Sequence, residues 1–166
     1  HIDTKLESFS SLLTGLINDD IQHIAVFCEY RSTLEYLVSA VGEKNFSVFH
    51  LHGGMSAEKR NKILEEFESS GGVLIRTSAI EGASLNFVEA AIHYDLPNSA
   101  ARFARREGSY HRYGRSKTCT VCVFEDKLNS LALEEFQLKM IAVDGLPTET
   151  EDNDLELEEL FKKLIA

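Results

Sequence analysis

The chain has 166 residues, 43% hydrophobic and 27% charged, with a formal net charge of -10. That length and balance fit one globular domain with a proper core, and no apolar run approaches the roughly eighteen residues of a membrane span. Three cysteines, Cys28, Cys119 and Cys122, argue against a disulfide framework and for an intracellular, reducing compartment, cytoplasmic or nuclear.

No signal-peptide pattern opens the chain, and a start at His1 rather than Met points to a fragment or a cloning scar. DTKLESFSSLLTGLI reads as an amphipathic helix and IAVFC (24–28) as a short buried strand. STLEYLVSAVG is a helix stopped at Gly42, and FSVFHLH is a strand. Ser56 suits the N-cap of AEKRNKILEEFESS, whose Ile63, Leu64 and Phe67 share one face. Gly71 and Gly72 end that helix. GVLIRTS, AAIHYDL and TCTVCVF are further strands, and LALEEFQLKMIAV is a last core helix. Strands alternating with helices predict an α/β, doubly wound, mostly parallel sheet flanked by helices. Ligands of such sheets sit beyond the carboxyl ends of the strands.

Cys119 and Cys122 form a CxxC inside an alternating strand. A spacing of three puts their side chains on opposite sheet faces, so metal chemistry is not expected there. His50 and His52 share a strand face but lack a third ligand nearby, and no metal site is expected from them. His93 and His111 read as incidental, and Asp95 as a turn cap or the orienter of an arginine. Glu65, Glu66 and Glu68 read as a solvated helix face.

Arg102, Arg105, Arg106, Arg112 and Arg115 fall within fourteen residues, just after the strand-like AAIHYDL and Pro97. Guanidinium groups stay charged and offer a rigid fork of donors, so this cluster predicts a phosphate or polyphosphate ligand. The acidic total does not oppose that reading. Residues 144–166 carry eight acidic and two basic side chains, hence -6 of the -10. This division gives a body over 1–143 and an acidic linker with an amphipathic helix over 144–166. The helix is expected to pack back on its own domain, with docking of a protein partner or a link to another domain as the alternatives.

Four segments carry a resemblance: FCEYRSTLEYL (27–37), HGGMSAEKRNKILEEF (52–67), TSAIEGASLNFVEAAIHYDLP (77–97) and RREGSYHRYGR (105–115). In this order they resemble the second RecA-like domain of superfamily 2 helicases, most closely DEAD-box RNA helicases. SNF2-type DNA translocases are more distant relatives. The resemblance implies a RecA-like helicase C-terminal fold with five or six parallel strands. It implies that two such domains close on ATP, Mg²⁺ and single-stranded nucleic acid, RNA ahead of DNA. The chain lacks G-x-x-x-x-G-K-[ST] and the Asp-Glu-Ala-Asp motif. ATP with Mg²⁺ would therefore be held mainly by an N-terminal RecA-like domain of the full-length protein, and this domain alone should be inactive.

By the same resemblance Arg31, Gly53, Arg60 and Thr77 would meet the nucleic-acid backbone. Gly82, Ser84 and Arg112 would face the nucleotide, and Arg106 and Arg112 are the candidate catalytic residues. Several positions depart from the family pattern. Ser109 replaces the first ATP-facing arginine, Ser84 an aspartate and Glu81 an arginine. Arg105 replaces a histidine and Ala57 a glutamine. The leading expectation is the second motor domain of an ATP-dependent RNA helicase. The alternative is a degenerate module with weak or no ATPase that serves as an RNA- or protein-binding scaffold.

Overall fold

A computed structural model describes residues 4–43, 46–77, 80, 83–97, 99–111 and 119–124. Within them lie helices α1 (Thr4–Asn18), α2 (Arg31–Gly42), α3 (Ala57–Ser70) and α4 (Ala100–Tyr110). The strands are β1 (His23–Cys28), β2 (Val48–Leu51), β3 (Gly72–Thr77), β4 (Ala90–His93) and β5 (Thr120–Val123). They form one sheet in the order β2-β3-β1-β4-β5, and every neighbouring pair is parallel. β1 and β4 are continuous apolar runs because both sheet faces are covered.

Two cores flank the sheet. On one face Phe9 and Leu13 of α1 and Leu34, Leu37 and Val41 of α2 close over Val26, Ile75 and Ile92. On the other, Phe67 of α3 and Tyr110 of α4 close over Phe27, Leu74 and Ala91. Cys122 belongs to the first core and Cys119 packs against the second, as the spacing of three requires.

The chain leaves β1 for β2 and β3 on one side, then crosses to β4 and β5 on the other. The carboxyl end of β1 is thus the point where strand order reverses, which is where α/β sheets bind ligands. Glu29, Tyr30 and Arg31 follow directly. Thr77 pairs with Cys28, and His93 pairs with Phe27, so β3 and β4 deliver their last residues to the same edge.

Among the described residues the expected helices and strands are present with ends shifted by a few residues; AAIHYDL, for instance, pairs only over Ala90–His93. Ser56 caps α3, its hydroxyl accepting from the Lys59 amide at 3.3 Å. Helix α4 was not among the expectations. Its inward stripe is Phe103, Arg106 and Tyr110, with Ser109 beside it. Two polar residues on that stripe hide the helical periodicity. The last core helix and the 144–166 segment lie outside the described residues.

Candidate nucleic-acid interface

Basic side chains Arg31, Lys59 and Arg60 follow the carboxyl ends of β1 and β2 in the chain, with Glu35 and Glu58 among them. Arg31 opens α2 and is 65% exposed, with its Nε donating to Glu35 at 3.0 Å across one helical turn. One of its terminal nitrogens reaches within 3.9 Å of the position a Cβ on Gly54 would occupy. Gly54 donates its amide to Nδ1 of His52 at 3.2 Å, which fixes the turn between β2 and α3. Desolvation lowers the His52 pKa, and the nearby Arg31 and Lys59 charges lower it further, against an opposing pull from Glu35. Gly53 is exposed in the same turn. Arg60 is half-buried in the first turn of α3, its amide bonded to the Ser56 carbonyl. Arg31, Gly53 and the amino end of α3 therefore converge. Thr77 lies on the same edge but is buried beside Cys28.

The ends of β1 and β4 are tied by an ion network. Arg106 is 5% exposed. Its Nη1 donates to the Asp95 carbonyl at 2.6 Å and its Nη2 to the Glu29 carboxylate. Arg102 lies 3.6 Å from the other Glu29 oxygen. Asp95 accepts from Lys5 at 3.2 Å and from the Glu29 amide at 3.3 Å. Burial lowers the Arg106 pKa, while Glu29 holds it up. The guanidinium faces inward, whereas the family resemblance implied a catalytic group.

Behind this network sits a group of buried polar side chains that the sequence analysis did not assign to a site. Arg76 is 5% exposed on β3, with Nη2 donating to the Ile80 carbonyl. Its Nε and Nη1 have no hydrogen-bond partner among the described residues. Burial and the Arg106 charge lower its pKa to about 10. Arg76 and Arg106 both lie against the Phe27 ring, at 5.5 and 5.9 Å from its centroid. His93 stacks on Phe27 at 5.0 Å and shares a 2.9 Å hydrogen bond with the Tyr110 hydroxyl. A lone charge in the apolar run GVLIRT was the one signal that could have flagged Arg76.

Of the expected nucleotide-facing residues, only Ser84 lies among the described residues. Ser84 is exposed, and its hydroxyl turns to Asn86. Ser109 is 8% exposed. Its hydroxyl donates to the Arg106 carbonyl at 2.6 Å, and its own carbonyl accepts from the Leu85 amide at 2.7 Å. Gly82 and Arg112 lie outside the described residues, as do Glu81 and Arg115.

The model of the helicase conserved C-terminal domain matches residues 4–116, which span all four motif segments. The chain belongs to the helicase C-terminal domain family. It is 30% identical over 135 residues to the ATP-dependent RNA helicase FAL1 of Mycosarcoma maydis, covering 80% of this chain and 34% of that protein. The chain thus spans about a third of the length of that curated relative. Among solved structures, S. cerevisiae Dbp5 bound to RNA and ADP BeF3 superposes with a TM-score of 0.70 at 23% identity, over 98% of this chain and 42% of that one. The C-terminal part of the Fun30 ATPase domain gives 0.70 at 17% identity, over 81% and 44%. At these identities the structural likeness speaks for the RecA-like helicase fold alone.

Seen as a helicase C-terminal domain, the carboxyl edge divides into two regions. The Arg31–Gly53–α3 region offers exposed donors. In the region of Ser84, Ser109 and Arg106 the described polar groups are committed to the domain itself. Those residues do not by themselves fit a triphosphate, and no group of three or more His, Cys, Asp or Glu among the described residues is placed to hold a metal ion. No described helix is long and apolar enough to cross a membrane.

Proposed function

We propose that this chain is the second motor domain of a DEAD-box-like, ATP-dependent RNA helicase, and that its own share of the work is to grip nucleic-acid backbone. The observation that carries this reading is the convergence of Arg31, the Gly53–Gly54 turn and the amino end of α3 at the switch-point edge. Guanidinium, backbone amides and a helix amino terminus are the groups that hold phosphates, and such contacts fix position without reading sequence. Arg60 and Thr77 lie on the rim of this face. Thr77 would contribute through its position beside the strand end, because its side chain is buried.

ATP and Mg²⁺ belong mainly to an N-terminal RecA-like domain of the full-length protein. Gly82, Ser84 and Arg112 are this chain's share of the nucleotide site, with Arg112 the catalytic contact. When bound, the nucleotide supplies the free energy that drives closure on the strand. We assign Arg106 the part of a positioning residue, since its guanidinium is spent on Glu29 and the Asp95 carbonyl. Residues 1–143 form the motor domain, and 144–166 an acidic appendage whose amphipathic helix is the candidate protein-docking element. The protein is intracellular, cytoplasmic or nuclear. The activity carried in the name of FAL1 favours this motor reading over a pure scaffold.

The test is binding of a labelled single-stranded RNA and the matching DNA across a salt series. It uses this chain and the full-length protein with a non-hydrolysable ATP analogue. The reading expects binding that weakens with salt and, in the full-length protein, responds to nucleotide. Arg31→Ala should lower the log–log salt slope by about 0.7, the loss of one single-strand phosphate contact. Absence of both nucleic-acid binding and nucleotide response would overturn it.

A further inference from the structure

Tyr30 stands between the two halves of the carboxyl edge, after Glu29 of the ion network and before Arg31. It is 70% exposed, the most exposed large hydrophobic side chain among the described residues. It occupies the N-cap of α2, with φ -108° and ψ 148°, and makes no side-chain cap hydrogen bond. Ser, Thr, Asp or Asn at this position would cap the helix. A tyrosine here therefore forgoes a cap and holds an aromatic face in water, two local costs with no structural return. Its backbone is nevertheless anchored. The Tyr30 carbonyl accepts from the Leu34 amide at 3.1 Å and from the Cys28 thiol at 3.8 Å. The ring is thus carried on a rigid support, and a tyrosine loses little side-chain freedom when it is engaged.

Phosphate contacts alone grip any polyanion. A strand whose phosphates lie on Arg31 and the Gly53–Gly54 turn passes beside Tyr30, the residue before Arg31. An exposed ring one residue from the phosphate-holding guanidinium is the arrangement that single-strand binders use to stack an unpaired base. Every base has a π-face, so such a contact selects single strands without selecting sequence. We propose that Tyr30 is a stacking platform for an unpaired base of the single strand whose backbone Arg31 holds. This rests on the nucleic-acid reading above and adds a contact to the base where that reading has contacts to the backbone only. Tyr36, the other exposed large hydrophobic among the described residues, is six residues further along the chain on α2. At about 100° per residue it is turned well away from Tyr30, and it serves as a control.

The experiment compares this chain with Tyr30→Ala, Tyr30→Phe and Tyr36→Ala. Each is titrated by fluorescence anisotropy with a labelled single-stranded RNA and with an abasic phosphodiester strand of equal length. Tyr30→Ala should weaken binding of the base-bearing strand about five- to hundredfold, while Tyr30→Phe and Tyr36→Ala stay within about twofold of the parent. The abasic strand should bind all four proteins equally. Equal RNA affinity for the parent and Tyr30→Ala, or an equal loss on both strands, overturns the stacking role and leaves the backbone reading standing. Failure of the parent to bind either strand overturns the backbone reading, and the stacking role with it.

Discussion

A buried guanidinium and a buried imidazole set the chemistry of this domain residue by residue. Arg106 was a candidate catalytic residue by resemblance, and its guanidinium is turned onto Glu29 and the Asp95 carbonyl. The motif spacing drew attention to Arg106. It carried no information about which side of α4 the residue would occupy, because α4 itself was hidden by polar residues on its inward stripe. His93 read as incidental from sequence and is fully buried, with its Nδ1 lacking a partner among the described residues. Burial, helped by the Arg106 charge, pulls its pKa down to about 3. A histidine with a lowered folded pKa stabilises the fold fully above its unfolded value of about 6.5. That contribution is lost as the pH falls through 6.5 toward 3, because the unfolded chain takes up a proton that the folded one refuses. The expected slope is about 1.4 kcal/mol per pH unit below 6.5 for one proton. Urea unfolding of the parent and of His93→Asn, run from pH 8 to pH 4, checks this. The variant should be weaker at pH 8 and lose less stability on acidification. Parallel pH profiles would sink the assignment.

At the level of elements, strand β3 depends on two glycines at its start. Gly71 and Gly72 have φ of 70° and 126°, a region that side-chain-bearing residues rarely adopt. The sequence marked them only as the end of α3. The structure adds a second demand, since Gly72 passes between neighbouring segments. Its amide donates to the Gln22 carbonyl at 2.7 Å, and the next amide, of Val73, donates to the Ser47 carbonyl at 2.9 Å. A Cβ on Gly72 would stand 2.4 Å from that same Ser47 oxygen. Gly72→Ala is therefore expected to cost at least about 2 kcal/mol. Gly15→Ala, in an α1 site with open space around the new methyl, should stabilise by about 0.5–1 kcal/mol. Opposite shifts of the two urea midpoints test the pair, and a neutral Gly72→Ala would refute the close-approach account.

On the proposed reading, the whole molecule joins a phosphate-gripping edge to a nucleotide edge that lacks some of the donors the family pattern has. Ser109 illustrates this. It stands where the family pattern has an ATP-facing arginine, and its hydroxyl is bonded to its own helix. An arginine finger is worth up to about 10³–10⁵ in rate, which a serine cannot supply. If the rest of the site assembles when the two domains close, Ser109→Arg in the full-length protein should raise nucleic-acid-stimulated ATPase at least about tenfold. Steady-state phosphate release with and without RNA measures it. An unchanged rate would mean that restoring one arginine is not enough, and that the substitutions at Glu81 and Ser84 also disable the site.

The alternation of apolar strands with amphipathic helices, the order of four motifs and the match to one family model were all properties of the linear chain. They determined the fold class and the residues to watch, because hydrophobic periodicity and residue spacing are written locally. Which arginines face solvent could not be written locally. Arg31 and Arg106 both sit in helices near strand ends, yet one is mostly exposed and the other buried against Glu29. The difference arises from strand order. β1 lies between β3 and β4, so residues more than sixty positions apart meet at one edge, where Glu29 neutralises Arg106 inside the protein while Arg31 stays at the surface beside Glu35.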